Sequence, residues 1–193
     1  MLAKALQATG RSRTPTQRSS PTTTITHCAA THIPTRWDEA GRPYDATADD
    51  ACYATFELRG HQGEKVIAQV NSSWCTRVRR DDLVTFHVDG THGSAVAGLT
   101  ECRTQSRVNT PKPVWNPDVA QTLPFFEQWQ EVPDTQAYDN GFKVQWEQFL
   151  SAAAQRRPVP WDLAQGARGV QLAGLALRSS AEGRRLDVPR LAV

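Results

Sequence analysis

Apolar and polar residues alternate along residues 51–107, and this alternation is the strongest pattern in the chain. Successive side chains of a β-strand point to opposite faces, so alternation predicts strands with one packed and one solvated face. Connectors that contain glycine separate the runs, as the turns of an antiparallel meander require. The predicted strands cover residues 51–58, 65–74, 83–89 and 95–99.

Two flanking regions extend this pattern. Residues 24–33 are rich in Thr and other β-compatible residues, which predicts one more strand before the meander. Residues 34–50 then follow as a long polar connection. Residues 110–117 contain three prolines, which lack an amide donor for a strand ladder, so we expect a loop or an edge segment there.

The spacing of apolar residues becomes helical in the last third of the chain. Between residues 139 and 156 it predicts an amphipathic helix, which Pro158 and Pro160 end. The apolar stripe of that helix consists of Phe142, Trp146, Phe149, Leu150 and Ala153.

A second helix is predicted to begin after Asp162, whose carboxylate can accept hydrogen bonds from the amides of the first turn. Its glycines at 166, 169 and 174 each lower helix propensity by roughly 1 kcal/mol relative to alanine. We expect another element, and first of all the sheet face, to approach the helix closely where these glycines lie. The helix face that would be covered consists of Leu163, Ala167, Val170, Gly174 and Leu177.

A final short strand at 185–188 completes a prediction of the α+β class, a mostly antiparallel open sheet with C-terminal helices packed on one face. The 193 residues suit one domain of ordinary size, which we place at residues 25–193. Residues 1–24 are dominated by Thr, Ser, Arg and Gln without apolar periodicity, so a disordered or artefactual tail is expected. Such an Arg- and Ser-rich start also resembles an organelle transit peptide.

The formal net charge of +2 is unevenly divided along the chain. Residues 1–35 hold four basic residues and no acidic one, which leaves the remainder mildly acidic. A mildly acidic domain has no electrostatic basis for binding nucleic acid. No apolar run approaches the roughly 18 residues that a membrane span needs, so neither nucleic acid nor a membrane is an expected partner.

The cysteines are widely spaced, and each falls in or beside a predicted strand, where a thiol packs as a small apolar side chain. An ordinary core is available and no secretory signal pattern is visible. We therefore expect reduced thiols in a cytoplasmic protein rather than two disulfides. The four residues are Cys28, Cys52, Cys75 and Cys102.

Several catalytic and cofactor motifs are missing from the sequence. It contains neither GxGxxG nor GxxxxGK[ST], the glycine-rich loops that hold phosphates at a helix N-terminus. Two pairs of histidines are five residues apart, and an odd spacing on a strand directs the two side chains to opposite faces, so no metal site is expected. A GxSxG turn, which would expose a serine nucleophile, is also missing.

One polar strand face remains as a candidate surface. Gln69, Asn71 and Ser73 lie at alternate positions, so they share one face of their strand. Such a face is either solvated or serves as a ligand or subunit surface.

A second candidate surface is the segment at 32–38, which contains His32, Arg36 and Trp37. Arginine and aromatic residues on a loop at a sheet edge suit recognition of polyols or carboxylates. The alternative is a surface loop rich in Arg and Asp with a packed tryptophan.

Several segments are familiar when they are taken in order. They are Thr35-Arg36-Trp37, Asp49-Asp50-Ala51-Cys52-Tyr53-Ala54-Thr55-Phe56, Ser72-Ser73-Trp74, Val88-Asp89-Gly90-Thr91-His92-Gly93-Ser94, Gln145-Trp146-Glu147-Gln148-Phe149-Leu150, Asp162, Gly166-Ala167-Arg168 and Ser179-Ser180. Together they resemble the C-terminal domain of the glucose–fructose oxidoreductase/inositol dehydrogenase (Gfo/Idh/MocA) family. The likeness covers roughly residues 25–190.

The resemblance implies NAD(P)-dependent dehydrogenation of sugars, inositols or related polyols. In that family an N-terminal Rossmann domain holds the cofactor, and the C-terminal sheet lines the substrate pocket and commonly forms subunit contacts. This sequence departs from the family because it lacks the Rossmann fingerprint, the Glu-Lys-Pro motif and the Asp-x-x-x-His segment. No catalytic or cofactor-binding residue can therefore be transferred to it, whereas His32, Arg36 and Trp37 are expected to contact substrate.

We expect the substrate-side and oligomerisation domain of an NAD(P)-dependent sugar or polyol dehydrogenase of inositol type, truncated and inactive alone. Hydride transfer requires cofactor and substrate carbons held about 3–3.5 Å apart, which a chain that binds no cofactor cannot impose. The complete enzyme would use NAD or NADP, and a homo-oligomer through the sheet is expected. The alternative is a non-enzymatic sheet domain that self-associates or pairs with a separate Rossmann subunit.

Overall fold

The computed structural model describes residues 24–48, 50–60, 62–74, 83–113, 116–120, 122–134, 139–159 and 161–191. The tail predicted before residue 24 and Cys75 lie outside these ranges. All strand pairs of the described part are antiparallel, which confirms the predicted α+β class. The strands are β1 (Thr24–Ile33), β2 (Thr35–Trp37), β3 (Pro43–Asp45), β4 (Ala51–Arg59), β5 (Lys65–Ser73), β6 (Phe86–Gly90), β7 (Gly93–Ala97), β8 (Cys102–Ser106), β9 (Gln130–Glu131) and β10 (Leu186–Asp187), and the helices are α1 (Gly141–Ala154) and α2 (Leu163–Glu182).

The described strands and helices belong to two compact units. One unit contains β1–β5, both helices and β10, and the other contains β6–β9. The strands of the first unit form a four-stranded sheet in the order β10-β1-β4-β5 and a separate β2–β3 ribbon. Predicted strand 24–33 coincides with β1, and the predicted runs at 51–58 and 65–74 match β4 and β5 within a residue.

Helix α2 packs on one face of the four-stranded sheet, where it lies over β1. Cys28 of β1 is fully buried beneath it, and Leu175 and Ala176 of α2 are buried against the same cluster. Leu186 in β10 and Val188 just after it complete the buried cluster. This small core joins the two ends of the described chain.

Local signals fix the limits of both helices, and the start of α2 after Asp162 is the one that the sequence predicts. The Asp162 carboxylate accepts a hydrogen bond from Gln165 N at 2.9 Å at the start of α2. Gly183 ends α2 in the left-handed region, with φ of 61°, which favours glycine. The Asn140 side chain caps α1 by accepting from Phe142 N at 2.9 Å and Lys143 N at 3.3 Å.

The orientation of α2 corrects one sequence-based expectation. The face expected against the sheet, which includes Leu163, Val170 and Leu177, points to solvent, and these side chains are 93%, 75% and 52% exposed. The residues that pack toward the sheet are Leu172, Leu175, Ala176 and Ser179. A Cβ built on each of the three glycines meets nothing within 4 Å, so no described element approaches them closely. The expectation failed because α2 carries apolar residues on two opposite sides.

A short hairpin replaces part of the polar connection predicted at 34–50. Strands β2 and β3 pair from Thr35 opposite Asp45 to Trp37 opposite Pro43. Asp38 holds the turn, since its Oδ1 accepts from Arg42 N at 2.8 Å and its Oδ2 accepts from Arg42 Nε at 2.8 Å. Those hydrogen bonds lower the pKa of Asp38. Sequence alternation missed the hairpin because each strand has only three residues.

The second unit is an antiparallel sheet in the order β6-β7-β8-β9. Strands β6 and β7 are displaced by about two residues from the runs predicted at 83–89 and 95–99, because the turn between them is tight. Gly90 pairs with Gly93, which leaves only Thr91 and His92 in the turn. Gly93 has φ of 152°, and a Cβ there would clash with Gln105 O, so only glycine fits.

Two further expectations concern cysteines and membranes. Cys28, Cys52 and Cys102 carry free thiols, as predicted. No helix in the described ranges has both the length and the apolar character that a membrane crossing requires.

Candidate functional site

His32 lies near the end of β1, at one end of the sheet. Its backbone amide donates to Ser180 Oγ at 3.0 Å, and its ring Nε2 is 3.7 Å from the thiol of Cys52 on β4. His32 and Cys52 are directly opposite in the strand register, so both side chains point to the face that α2 covers. The ring is thus half-buried within the first unit.

Arg36 is held in place by a carboxylate. Its Nε lies 3.2 Å from Asp50 Oδ1, and both side chains are largely shielded, at 27% and 13% exposed. Asp50 N also donates to Ile33 O at 2.9 Å. Asp50 thus links the β2–β3 hairpin to the end of β1.

Trp37 is the next residue of β2, and it is 66% exposed. It pairs with Pro43 across the hairpin. The structure therefore brings the three predicted site residues to one end of β1, with Trp37 presenting an aromatic surface to solvent.

A cavity of about 590 Å³ lies along the edge of β1. We call it the β1-edge cavity. Strand β10 pairs with β1 only at His27 and Cys28, so the edge of β1 is open beyond that point. The cavity is lined by Thr31, Tyr53, Thr55, Gln69, Asn71, Ser180, Arg184 and Arg185, with Gly183 and nearby residues of β1, β4 and α2. His32, Arg36 and Trp37 are not among its lining residues.

Two serines of α2 accept hydrogen bonds from backbone amides on the open edge of β1. Ala30 N donates to Ser179 Oγ at 3.0 Å, and Ser179 Oγ donates in turn to Arg184 O at 2.7 Å. Ser180 Oγ accepts from His32 N in the same way. Side chains of the last helical turn thus take the place of a neighbouring strand as hydrogen-bond partners of β1. The space that such a strand would fill remains open as the cavity.

The floor of the cavity is the sheet face opposite α2. Thr31, Tyr53 and Asn71 are aligned across three strands, and Ala29, Thr55 and Gln69 form the next row. We call these six residues the open face. Its polar groups are neutral hydroxyls and amides.

Charges beside the open face are paired with one another. Glu57 lies between Lys65 Nζ at 2.9 Å and Arg185 at 3.3 Å, and the hydrogen bond from Lys65 is the main cause that lowers the pKa of Glu57. Arg184 contacts Glu182 at 2.6 Å. Because both rim arginines have carboxylate partners, the cavity suits a neutral hydroxylated group better than an anion.

The N-termini of the two described helices offer no free anion site for the pyrophosphate of a dinucleotide cofactor. A pyrophosphate is held by backbone amides at a helix N-terminus. The N-terminal amides of α1 and α2 are capped by Asn140 and Asp162, and the Asp162 carboxylate would repel a phosphate. The expectation that the chain itself binds no cofactor stays a prediction. No group of three or more metal-ligating side chains occurs in the described ranges.

Sequence reasoning identified part of these surfaces. It singled out the polar positions of β5 and the segment at 32–38. It missed Thr31, Tyr53 and Thr55, because their place beside Gln69 and Asn71 depends on the register of three strands. It also gave no partner for Arg36, since the contact of Asp50 with Arg36 requires the hairpin.

Comparisons with known proteins agree on the fold. No protein-family model matches the chain. The solved structure of levoglucosan dehydrogenase with NADH and L-sorbose superposes with a TM-score of 0.59 at 18% identity, over 87% of this chain and 46% of that chain. An oxidoreductase domain protein from Kribbella flavida gives a TM-score of 0.58 at 16% identity, over 87% of this chain and 45% of that chain.

A curated relative is much nearer in sequence. The chain is 59% identical over 162 residues to D-xylose dehydrogenase of Paenarthrobacter nicotinovorans, which is 84% of this chain and 42% of the relative. The chain thus spans less than half the length of the proteins that it matches. Over the part that they share, this chain is therefore similar in sequence to a D-xylose dehydrogenase and has the fold of these oxidoreductase structures.

Proposed function

We propose that this chain is the substrate-side and oligomerisation domain of an NAD(P)-dependent sugar dehydrogenase. The observation that supports this most is the 59% identity over 162 residues to a D-xylose dehydrogenase. Levoglucosan dehydrogenases of related fold bind NADH, which makes NAD the first cofactor to test and NADP the second. D-xylose is the first substrate to test, and inositols and other polyols follow.

Substrate contact is assigned to His32, Arg36 and Trp37. The exposed ring of Trp37 offers an apolar surface on which the C–H groups of a sugar ring can pack. Arg36 adds a guanidinium with several N–H donors, and Asp50 lies beside it as an ion-pair partner.

Chemistry is assigned to a complete enzyme and not to this chain alone. A bound nicotinamide would supply the acceptor for hydride from a sugar carbon, and a base would take the hydroxyl proton. Neither the base nor the cofactor site is placed on the described residues, whose helix N-termini are capped. This chain would instead bind and orient the sugar, which is a substantial share of catalysis.

The test joins this chain to the part of the Paenarthrobacter enzyme that has no counterpart in it. NADH formation is followed with D-xylose and NAD⁺ for the joined protein and for the chain alone. Turnover by the joined protein only is expected. Turnover by the chain alone would contradict the proposed inactivity, and a joined protein that binds NADH but oxidises no sugar would contradict the function.

Arg36→Ala in the joined protein tests the site. We expect KM for the sugar to rise on the order of tenfold, because a positioned donor to the substrate is lost. Arg42→Ala is the matched control, since Arg42 also pairs with a carboxylate but is 80% exposed on the hairpin turn. Unchanged kinetics in Arg36→Ala would remove the residue from the site.

A second candidate function is a non-enzymatic sheet domain that self-associates or pairs with a separate Rossmann subunit. The observation that favours it is the open face, which carries neutral polar groups over three strands and is not covered by either described helix. Light scattering distinguishes the candidates, because a stable dimer without turnover in the joined protein would favour the second. Thr55→Arg should dissociate a dimer that uses this face.

A further inference from the structure

The thiol of Cys52 and the ring of His32 form a contact that the proposed function does not use. Cys52 Sγ lies 3.7 Å from His32 Nε2, a hydrogen-bond distance for sulfur. The two residues are directly opposite each other in the register of β1 and β4. The backbone of His32 is also held, since its amide donates to Ser180 Oγ at 3.0 Å. The thiol therefore lies beside an imidazole nitrogen on a strand that is fixed at this point.

A thiol beside an imidazole is more reactive than a thiol alone. The thiolate is the nucleophile, and a histidine that accepts the thiol proton increases the fraction of thiolate at neutral pH. His32 Nε2 can accept that proton in the tautomer that carries its own proton on Nδ1. The described carboxylate nearest to Cys52 along the chain belongs to Asp50, and it lies 3.2 Å from Arg36 Nε. A carboxylate paired with a cation opposes a nearby thiolate less than an unpaired one does.

Cys52 differs in this respect from the other described thiols. Cys28 is fully buried, and burial is the main cause that raises the pKa of its thiol, with Cys52 adding to it. A charge on Cys52 thus keeps Cys28 protonated. Cys102 of β8 is half-buried, as Cys52 is, but no histidine of the described part of the chain lies in hydrogen-bond contact with it. Cys102 therefore serves as the matched comparison for Cys52.

We propose that Cys52 is a site of reversible oxidation by hydrogen peroxide, with His32 as the base that accepts the thiol proton. The thiolate attacks one peroxide oxygen, and the O–O bond breaks. The imidazolium returns the proton to the leaving hydroxide, which becomes water. The sulfur is oxidised to a sulfenic acid, and the peroxide is reduced to one molecule of water.

Cys28 is too far from Cys52 to form a disulfide with it after oxidation. Cys28 is paired opposite Phe56, four residues along β4 from Cys52, which is about 13 Å of strand. A disulfide needs Cα atoms less than about 7 Å apart. We expect the sulfenic acid to react instead with a small external thiol, which forms a mixed disulfide and releases water. A second molecule of that thiol then restores Cys52.

Oxidation of Cys52 would act on the residues assigned to substrate contact. His32 is one of them, and a sulfenic acid or a mixed disulfide on Cys52 adds atoms beside its ring. This part of the inference rests on the proposed function and adds a form of regulation to it. Peroxide should therefore raise KM for the sugar in the joined protein, and a thiol reductant should reverse the rise.

The first test traps the sulfenic acid with dimedone in the full chain treated with peroxide, followed by mass spectrometry of the cysteine peptides. Cys52 should be labelled about fivefold faster than Cys102. This comparison needs no variant, and equal or slower labelling of Cys52 would overturn the proposal. The difference should vanish in urea, where the contact with His32 is lost.

His32→Gln tests the role of the base. Labelling of Cys52 should fall about fivefold, because glutamine cannot accept the thiol proton, although its smaller side chain leaves the thiol at least as accessible. Circular dichroism verifies that the variant is folded. An unchanged rate in the folded variant would remove His32 as the base and overturn the proposal.

Peroxide treatment of the joined protein tests the consequence for sugar binding. We expect KM to rise on the order of fivefold, to return with dithiothreitol, and not to respond to peroxide in Cys52→Ala. An unchanged KM in the oxidised protein, or a response retained in Cys52→Ala, would overturn the regulation. Because trapping requires no turnover, labelled Cys52 in a joined protein that oxidises no sugar would refute the proposed function only. Turnover without labelling of Cys52 would refute this inference only.

Discussion

The two sides of α2 are both apolar, yet only one of them has a neighbour. The inner side buries Leu175 and Ala176 against Cys28 and sends Ser179 to the edge of β1. The outer side leaves Val170 and Leu177 mostly in water. Apolar content alone therefore does not tell which side of a helix meets its own sheet.

Buried polar groups mark the difference between the two sides. Ser179 is 2% exposed, and its hydroxyl both accepts from Ala30 N and donates to Arg184 O. The outer side offers neither a buried polar group nor a close backbone. The inner side is thus specified by hydrogen bonds as well as by burial, and substitutions on the two sides should have very different effects on stability.

Leu175→Ala should have the largest effect. Leu175 is 8% exposed in the core beneath α2, so truncation removes buried methyl groups and leaves a cavity. We expect the free energy of unfolding to fall by about 2–4 kcal/mol in urea denaturation followed by circular dichroism. Leu177→Ala is the matched control and should change it by less than about 0.5 kcal/mol. Equal losses would contradict the assigned orientation of α2.

Ser179→Ala should cost about 1–3 kcal/mol, because Ala30 N and Arg184 O would both lose their partner in a buried place. Ser180→Ala serves as the comparison. Its hydroxyl accepts from His32 N in a less buried position, so the loss should be smaller, about 1 kcal/mol. The same urea titration measures both, and a larger loss in Ser180→Ala would show that the edge of β1 depends on the other serine.

Structural features that depend only on residues close together in the sequence could be predicted from it. The extent of α1, to within two residues at each end, and the start of α2 at the Asp162 cap follow from local spacing and side-chain chemistry. Strand β1 is equally well predicted from composition. The contact of Ser179 with Ala30 joins residues 149 positions apart, so no local pattern could indicate it.

The candidate site was predictable only in part. His32, Arg36 and Trp37 follow one another closely, so their shared location at the end of β1 was foreseeable. The Asp50 partner of Arg36 was not, because a hairpin of three-residue strands intervenes. The orientation of α2 was missed for a different reason. The helix has apolar residues on two opposite sides, and their spacing does not indicate which side faces the sheet.

Cys28 offers a test of the inner side by pH. Burial is the main cause that raises the pKa of its thiol, and the neighbouring Cys52 adds to it. A raised pKa means that the unfolded chain loses the proton first, so stability should fall as the pH rises above the unfolded thiol pKa of about 8.5. Cys28→Ala should reduce this alkaline loss, as judged from urea midpoints between pH 7 and 10. An identical pH profile in the variant would contradict the burial of the thiol.

Gly174→Ala should have a small effect of the opposite sign. The outer side of α2 is open around Gly174, so an added methyl group meets no atom within 4 Å and only improves helix propensity. We expect the chain alone to gain about 0.5–1 kcal/mol in the same urea titration. A loss would mean that something already packs on the outer side. A gain would agree with the exposure of this side of α2 in the chain alone.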